Sequence, residues 1–280
     1  MWQDYKAFVQ QHTVMGDLRI QKSTHSPQLN NERDILVWLP PSYADSDKHY
    51  PVLYMHDGQN VFDAHTSYSG EWGVDETITA LSAEGLEAIV VGIPNQGEQR
   101  RIEYNPYPTQ VGEHFWDGSG DAYIAFITDT LKPMIDSTFR THPEKAMTGI
   151  AGSSMGGLIS LHGFLTRQDI FGFCGAFSPV FWTGLWGTIT KQANGSGKIY
   201  IDIGGKEGEV ILGIGSPLDV TLDEAHSIYL DGVRQLHLEL IEKGYQPGKT
   251  LLYVEDDEAL HNELAWALRL PDALRFLLTP

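Results

Sequence analysis

Cysteine is nearly absent from this 280-residue chain. Cys174 stands alone, so no intramolecular disulfide can form. That fits a reducing compartment, and the cytoplasm is the expected location. No apolar run is long enough to cross a bilayer. The opening stretch, MWQDYKAFVQQHTVMGDLRI, has neither the basic start nor the apolar centre of a secretory signal. Basic residues are scarce: 19 Lys and Arg against 37 Asp and Glu leave a net charge of −18. An acidic surface of this kind repels nucleic acid and anionic lipid, so neither nucleic acid nor a membrane is an expected partner. No H-x-x-x-H, no carboxylate cluster at ligand spacing and no phosphate-cradling glycine loop stands out, so no metal and no cofactor is expected. Repeats, low-complexity tracts and interdomain linkers are missing too. One domain over residues 1–280 is therefore expected, with 1–30 as an extension at one edge.

What the chain does have is short apolar runs alternating with helical periodicity. YPVLYMHDG (50–58), EAIVVGIP (87–94), KAMTGIAG (145–152), GFCGAFS (172–178), KIYIDIGG (198–205) and KTLLYVE (249–255) read as buried strands. Helical spacing is found over 74–85, 121–139 (with a disturbance at Pro133), 155–165, 222–244 and 261–278. This order predicts an α/β fold: a mostly parallel central sheet flanked by helices. The alternating segments 16–24 and 33–40 predict antiparallel strands at the N-terminal edge. Ligand sites in such folds gather at the strand C-termini.

One of those strand ends carries TGIAGSSMGGLIS (148–160). Gly152-Ser153-Ser154-Met155-Gly156 fits G-x-S-x-G between a strand and a helix, the setting of a nucleophile elbow. The central position makes Ser154, not Ser153, the candidate nucleophile. A serine needs a base. His162 lies two turns into the helix that follows Ser154, and His226 and His237 fall inside the long helix. His261, between the last strand and the last helix, is the candidate base. The acid belongs after the strand that precedes the long helix, where Glu207 leads and Asp219 is second. Oxyanion donors are expected from the N–H of Met155 and from the loop YMHDGQNVFD, around Gly58 and Gln59. Aromatic residues crowd the loops around the expected site, among them Trp72, Tyr104, Tyr107, Phe115, Trp116, Phe181, Trp182 and Trp186. Trp72, Trp116 and Trp182 are candidate substrate contacts, with Arg101 placed to meet a carboxylate. Segment 208–218 is read as a lid or a connector.

RDILVWLPPSY, YPVLYMHDGQNVFD, GSSMGGLISL, GGKEGE and HNELAWALRL together resemble the esterase D-like branch of the α/β hydrolases. That branch includes feruloyl and acetylxylan esterases and enterochelin-type siderophore esterases. The resemblance runs from about Arg33 to the C-terminus. It implies an α/β-hydrolase fold, with the nucleophile on Ser154, the acid on Glu207 and the base on His261. The expected function is a serine carboxylic ester hydrolase that works through an acyl-enzyme. The expected substrate is a bulky small-molecule or carbohydrate-linked ester. A siderophore trilactone esterase or acyltransferase on the same residues is the alternative within enzymes. A non-catalytic binding protein on a hydrolase fold is the alternative of another class.

Overall fold

The computed structural model describes residues 1–111, 114–180, 186–213 and 220–279. Its centre is a sheet of eleven strands less a separate hairpin. The strands are β1 (Gln3–Asp4), β2 (Asp17–Ser26), β3 (Asn31–Leu39), β4 (Val52–His56) and β5 (Ile89–Ile93), then β6 (Thr109–Val111) and β7 (His114–Trp116). After them come β8 (Thr148–Ser153), β9 (Phe173–Phe177), β10 (Lys198–Gly204) and β11 (Leu251–Asp256). The spatial order is β1-β2-β3-β5-β4-β8-β9-β10-β11, with β6 and β7 paired apart from it. β5, β4, β8, β9, β10 and β11 run parallel to one another. β1, β2 and β3 are antiparallel at the N-terminal edge.

The strands are apolar on both sides because helices cover both faces. In β4, Val52 and Tyr54 enter one core and Leu53 and Met55 the other; Val90 and Val91 divide β5 in the same way. This two-residue period is the geometry of a pleated strand. The first core packs under α3 (Gly120–Ala125), α4 (Lys132–Thr138), α5 (Met155–Thr166) and α8 (Leu222–Glu242), and the second under α1 (Val74–Leu81) and α9 (Glu263–Leu278). The short helices α2 (Arg100–Glu103), α6 (Trp186–Ile189) and α7 (Glu209–Gly213) lie in the connections. α8 begins on a capping box: Thr221 accepts from the Glu224 N–H while Glu224 accepts from the Thr221 N–H.

The disturbance expected at Pro133 is a wide π-helical turn, Phe126–Leu131, joining α3 to α4. Pro133 has no N–H for the Asp129 carbonyl, so the helix ladder is already broken there. The β6–β7 hairpin is an addition to the expected elements, and its strands are too short to show a period. In segment 208–218, Glu209–Gly213 is the helix α7, and 214–219, with Asp219, lies outside the described residues.

Candidate active site

The turn from β8 to α5 holds Ser154 at φ 57° and ψ −123°. A side chain costs about 1–3 kcal/mol in such a backbone region, so the surroundings must enforce it. They do so through the backbone: the Ser154 N–H donates to Phe177 O at 2.9 Å, and Ser154 O accepts from Val180 and Leu158. A Cβ at Gly152 would stand 3.0 Å from the Gly156 backbone and from the His56 ring. The small residues of the motif are thus what lets strand and helix meet with Ser154 at the apex.

Glu207 and His261, the acid and base expected from sequence, are hydrogen-bonded to each other, and His261 lines the same cleft as Ser154. Glu207 Oε2 is 2.7 Å from His261 Nδ1, which leaves Nε2 for the cleft. Glu207 is buried, and its other oxygen accepts from Ser178 Oγ and from the Gly204 N–H, both at 2.7 Å. Arg269 Nη2 approaches that oxygen at 3.7 Å. The imidazole stands edge-on to Trp266, with ring centroids 4.9 Å apart. Trp266 Nε1 in turn donates to Ser178 Oγ at 2.9 Å. Ser154 and His261 line the same cleft. Among the described residues no hydrogen bond joins Ser154 Oγ to the ring, a contact that in many hydrolases tightens only around substrate.

Behind this pair is a group the sequence reading passed over. Asp202 accepts from the Ser178 N–H, from Tyr200 and from Arg269 Nε at 2.8 Å. Burial raises the pKa of Asp202, and Arg269 opposes the rise. Burial likewise works against the Arg269 charge, but Asp202 and Glu207 outweigh it and its pKa is raised. Arg269 and Trp266 both lie in HNELAWALRL, spaced on one face of α9, which is the signal that could have found them. His226, assigned to the long helix without a role, accepts from the Gly208 N–H at 2.7 Å and steadies the turn that carries Glu207.

On the opposite wall, β4 ends at His56 and runs into a turn of Asp57, Gly58 and Gln59. Asp57 adopts a left-handed conformation, φ 54°. A Cβ on Gly58 would lie 2.5 Å from the backbone of Gly92 and Ile93, so only glycine lets this turn close on β5. Arg100 grips Asp57 with two bonds, Nε–Oδ1 at 2.7 Å and Nη2–Oδ2 at 2.8 Å, and Asn95 adds a third at 2.7 Å. Burial works against the Asp57 carboxylate, yet Arg100 and Asn95 prevail and its pKa is lowered. His56 Nδ1 meets Tyr123 Oη at 2.9 Å, and burial lowers the pKa of this histidine to about 3. Neither the Gln59 nor the Met155 N–H has an acceptor among the described residues.

The cleft between these walls has a volume of about 1160 Å³, and both Gln59 and Arg101 line it. The expected aromatic wall needs correction. Trp72 is a core residue, 3% exposed, packed on Phe177 and Trp266 rather than lining the cleft. Tyr104 is buried beneath the Asp57 turn, where its hydroxyl accepts from the Asp57 N–H. Trp182 and Phe181 lie outside the described residues. So do the side chains of Trp116 and Trp186, although their backbones belong to β7 and α6. Most of the lining residues are instead polar, with Gln59, Thr66, Ser67 and Asn95 prominent, alongside Tyr68, Pro94 and the buried Trp266. His162, set aside from sequence, is held by Asp121 at 2.7 Å in the first core.

Comparisons with known proteins bear on the family and the fold. Bacillus subtilis YbbA is 27% identical over 266 residues, covering 91% of this chain and 96% of its own. The siderophore triacetylfusarinine C esterase of Aspergillus fumigatus is 27% identical over 135 residues, 47% of this chain and 44% of that protein. The crystal structure of an IroE-like serine hydrolase from Shewanella oneidensis superimposes with a TM-score of 0.72 at 22% identity, over 93% of this chain and 80% of that one. The Esterase family model, described as "Putative esterase", matches residues 26–277, and the chain belongs to that family of ester hydrolases.

Proposed function

We propose that Ser154 is the nucleophile of a serine esterase, with His261 as its base and Glu207 as the acid that orients the base. The observation that carries this reading is the Glu207–His261 bond beside a serine in an elbow conformation. His261 Nε2 takes the Ser154 proton as Oγ attacks the ester carbonyl. The N–H groups of Met155 and Gln59 are available to the oxyanion of the tetrahedral intermediate. Collapse expels the alcohol, which leaves with the proton from His261. Water then attacks the acyl-enzyme, again giving its proton to His261, and the acid departs. Glu207 holds Nδ1 protonated throughout and stabilises the imidazolium.

The substrate we infer is a bulky, uncharged, hydroxyl-rich ester such as an acylated sugar. Arg100 and Arg101 share the lining with Asp57, Glu98 and Glu263, so the cleft has no surplus of positive charge for a polyanion. Its hydroxyls and amides are already tied to one another: Thr66 Oγ1 donates to Gln59 O at 2.7 Å and the Asn95 N–H to Gln59 Oε1 at 3.1 Å. Such a wall is preorganised for polar groups. A siderophore ester is the second reading, and the name of the Aspergillus fumigatus relative favours it. The net charge of −18 and the lone buried cysteine support a cytoplasmic enzyme without nucleic-acid or membrane partners.

The test is hydrolysis of p-nitrophenyl acetate by wild type, Ser154→Ala and His261→Ala, with folding followed by circular dichroism. Both substitutions lower kcat by about 10⁵–10⁶-fold if the residues act as one unit. Turnover that survives in either variant removes that residue from the mechanism. Acetylated sugars and a trilactone siderophore, compared by kcat/KM, separate the two substrate readings.

A further inference from the structure

Outside the cleft, three carboxylates of the described residues meet. One oxygen each of Glu71, Asp75 and Glu76 lies within 4.8 Å of the other two. Asp75 is fully buried. One of its oxygens, Oδ2, accepts from the Met15 N–H at 2.7 Å. The other, Oδ1, is sealed from solvent and accepts from no N–H or hydroxyl of the described residues, and the carboxyl's remaining hydrogen bond is to its neighbour Glu76. Glu71 repeats the pattern: Oε2 accepts from Thr13 Oγ1 at 2.9 Å while Oε1 is buried without a partner. Glu76 Oε2 is a third buried oxygen without a donor. Among the described residues no lysine or arginine is found acting on Glu71 or Asp75. The start of α1 accounts for acidic residues at 75 and 76, since a helix N-terminus favours them. It does not account for Glu71, or for three oxygens buried without donors. Each such group costs about 1–3 kcal/mol unless something satisfies it, and more when charged.

We propose that Glu71, Asp75 and Glu76 bind a hard divalent cation of the calcium type. Oxygen ligands about 2.3–2.6 Å from a calcium ion stand at most about 5 Å from one another, which matches the spacing of this cluster. Three carboxylates and no nitrogen or sulfur are the donor set that calcium selects. The spacing E-x-x-x-D-E was passed over in the sequence because its acids become a site only when the loop before α1 folds back. The cation joins three segments: the N-terminal stretch through Thr13 and Met15, the loop from Asp63 to Gly73, and α1. That loop carries Thr66 and Ser67 to the cleft wall. It also packs Trp72 on Trp266, with ring centroids 5.7 Å apart. The site therefore braces the cleft from behind and takes no part in the chemistry.

The experiment starts from intact protein stripped with EGTA. CaCl2 is titrated while the melting temperature is followed, and Tb³⁺ is titrated in parallel for luminescence sensitised by Trp72. At roughly a hundredfold excess over Kd, calcium raises Tm by about 5 °C or more. Asp75→Asn and Glu76→Gln abolish both the shift and the luminescence; two variants are used in case one fails to fold. A wild type that shows neither response overturns the proposal, as do variants that respond like wild type. Stripped protein that ignores calcium but gains stability from pH 8 to pH 6 also overturns it, because a shared proton then occupies the site.

Discussion

Two arginine–carboxylate pairs flank the cleft, one fully buried and one with its arginine part-exposed, and the pKa values of their aspartates shift in opposite directions. Arg100 and Asp57 stand under the Gln59 turn; Arg269 and Asp202 stand behind Glu207. Burial opposes ionisation of both aspartates, yet the pKa of Asp57 is lowered and that of Asp202 is raised. The difference lies in how many anions each guanidinium serves. Arg100 gives two good bonds to Asp57 alone, and Asn95 adds another. Arg269 is shared between Asp202 and Glu207, so that group holds two carboxylates against one permanent cation. The first pair is complete and fixes a backbone turn. The second is one positive charge short, and in the mechanism we propose an imidazolium at His261 supplies that charge. A static clamp and a charge-accepting network are thus built from the same two residue types.

The sharpest way to break the comparison is at the acid. Glu207→Gln keeps the shape but removes the charge, and kcat on p-nitrophenyl acetate is expected to fall by about 10⁴-fold. A loss below tenfold would make Glu207 a structural carboxylate like Asp57. Next come the two arginines. Removing one partner of a buried pair costs about 3–5 kcal/mol, so Arg269→Gln should lower the urea midpoint strongly, and Arg100→Gln, whose guanidinium is part-exposed, should lower it less. They should differ in catalysis. Arg269→Gln takes the shared cation from Asp202 and Glu207 and changes kcat on p-nitrophenyl acetate chiefly through the Glu207–His261 bond; Arg100→Gln acts through the Gln59 turn, and its loss is not deepened when Glu207 is already Gln. Equal behaviour of the two would end the distinction.

Acid stability offers a finer test. Asp57 has a folded pKa below its unfolded value, so its contribution is present above the ordinary carboxylate range and is lost as pH falls through the folded value. The stability of wild type should therefore fall between pH 5 and pH 3 more steeply than that of Arg100→Gln, as read from urea midpoints. Asp202 contributes with the opposite sign, its share lost as pH rises through its raised folded pKa. The smallest effect is expected from Tyr123→Phe, which takes the hydroxyl from His56 Nδ1. It should cost about 1 kcal/mol and leave the pH–rate profile in place.

Much of this molecule follows from local pattern. The alternation in β4 and β5, the glycines around Ser154, the capping box of α8 and the position of His261 after β11 are consequences of residues close in sequence, so periodicity and motif suffice to read them. Even the choice of Glu207 rests on a turn two residues from a strand end. The residues around Glu207 and His261 are another matter. Asp202, inside a strand, reads as an anomaly until Arg269 arrives 67 positions later, and Ser178 gains its role only by standing between them. Trp72 reads as an aromatic in a loop near the site, and packing against Phe177 and Trp266 makes it core. Glu71, Asp75 and Glu76 look like solvated charge until the fold buries Asp75 beside Met15 and brings the two part-exposed glutamates to it. The physical reason is common to all of these: a side chain's polarity is fixed by its chemistry, but its desolvation and its partners are set by segments far away in the chain. Sequence alone determined the α/β layers and the placing of Ser154, Glu207 and His261 just past strand ends, because these depend on local geometry. Tertiary structure decided which charges are shared, which rings are buried and what lines the cleft, because those depend on what the distant segments bring.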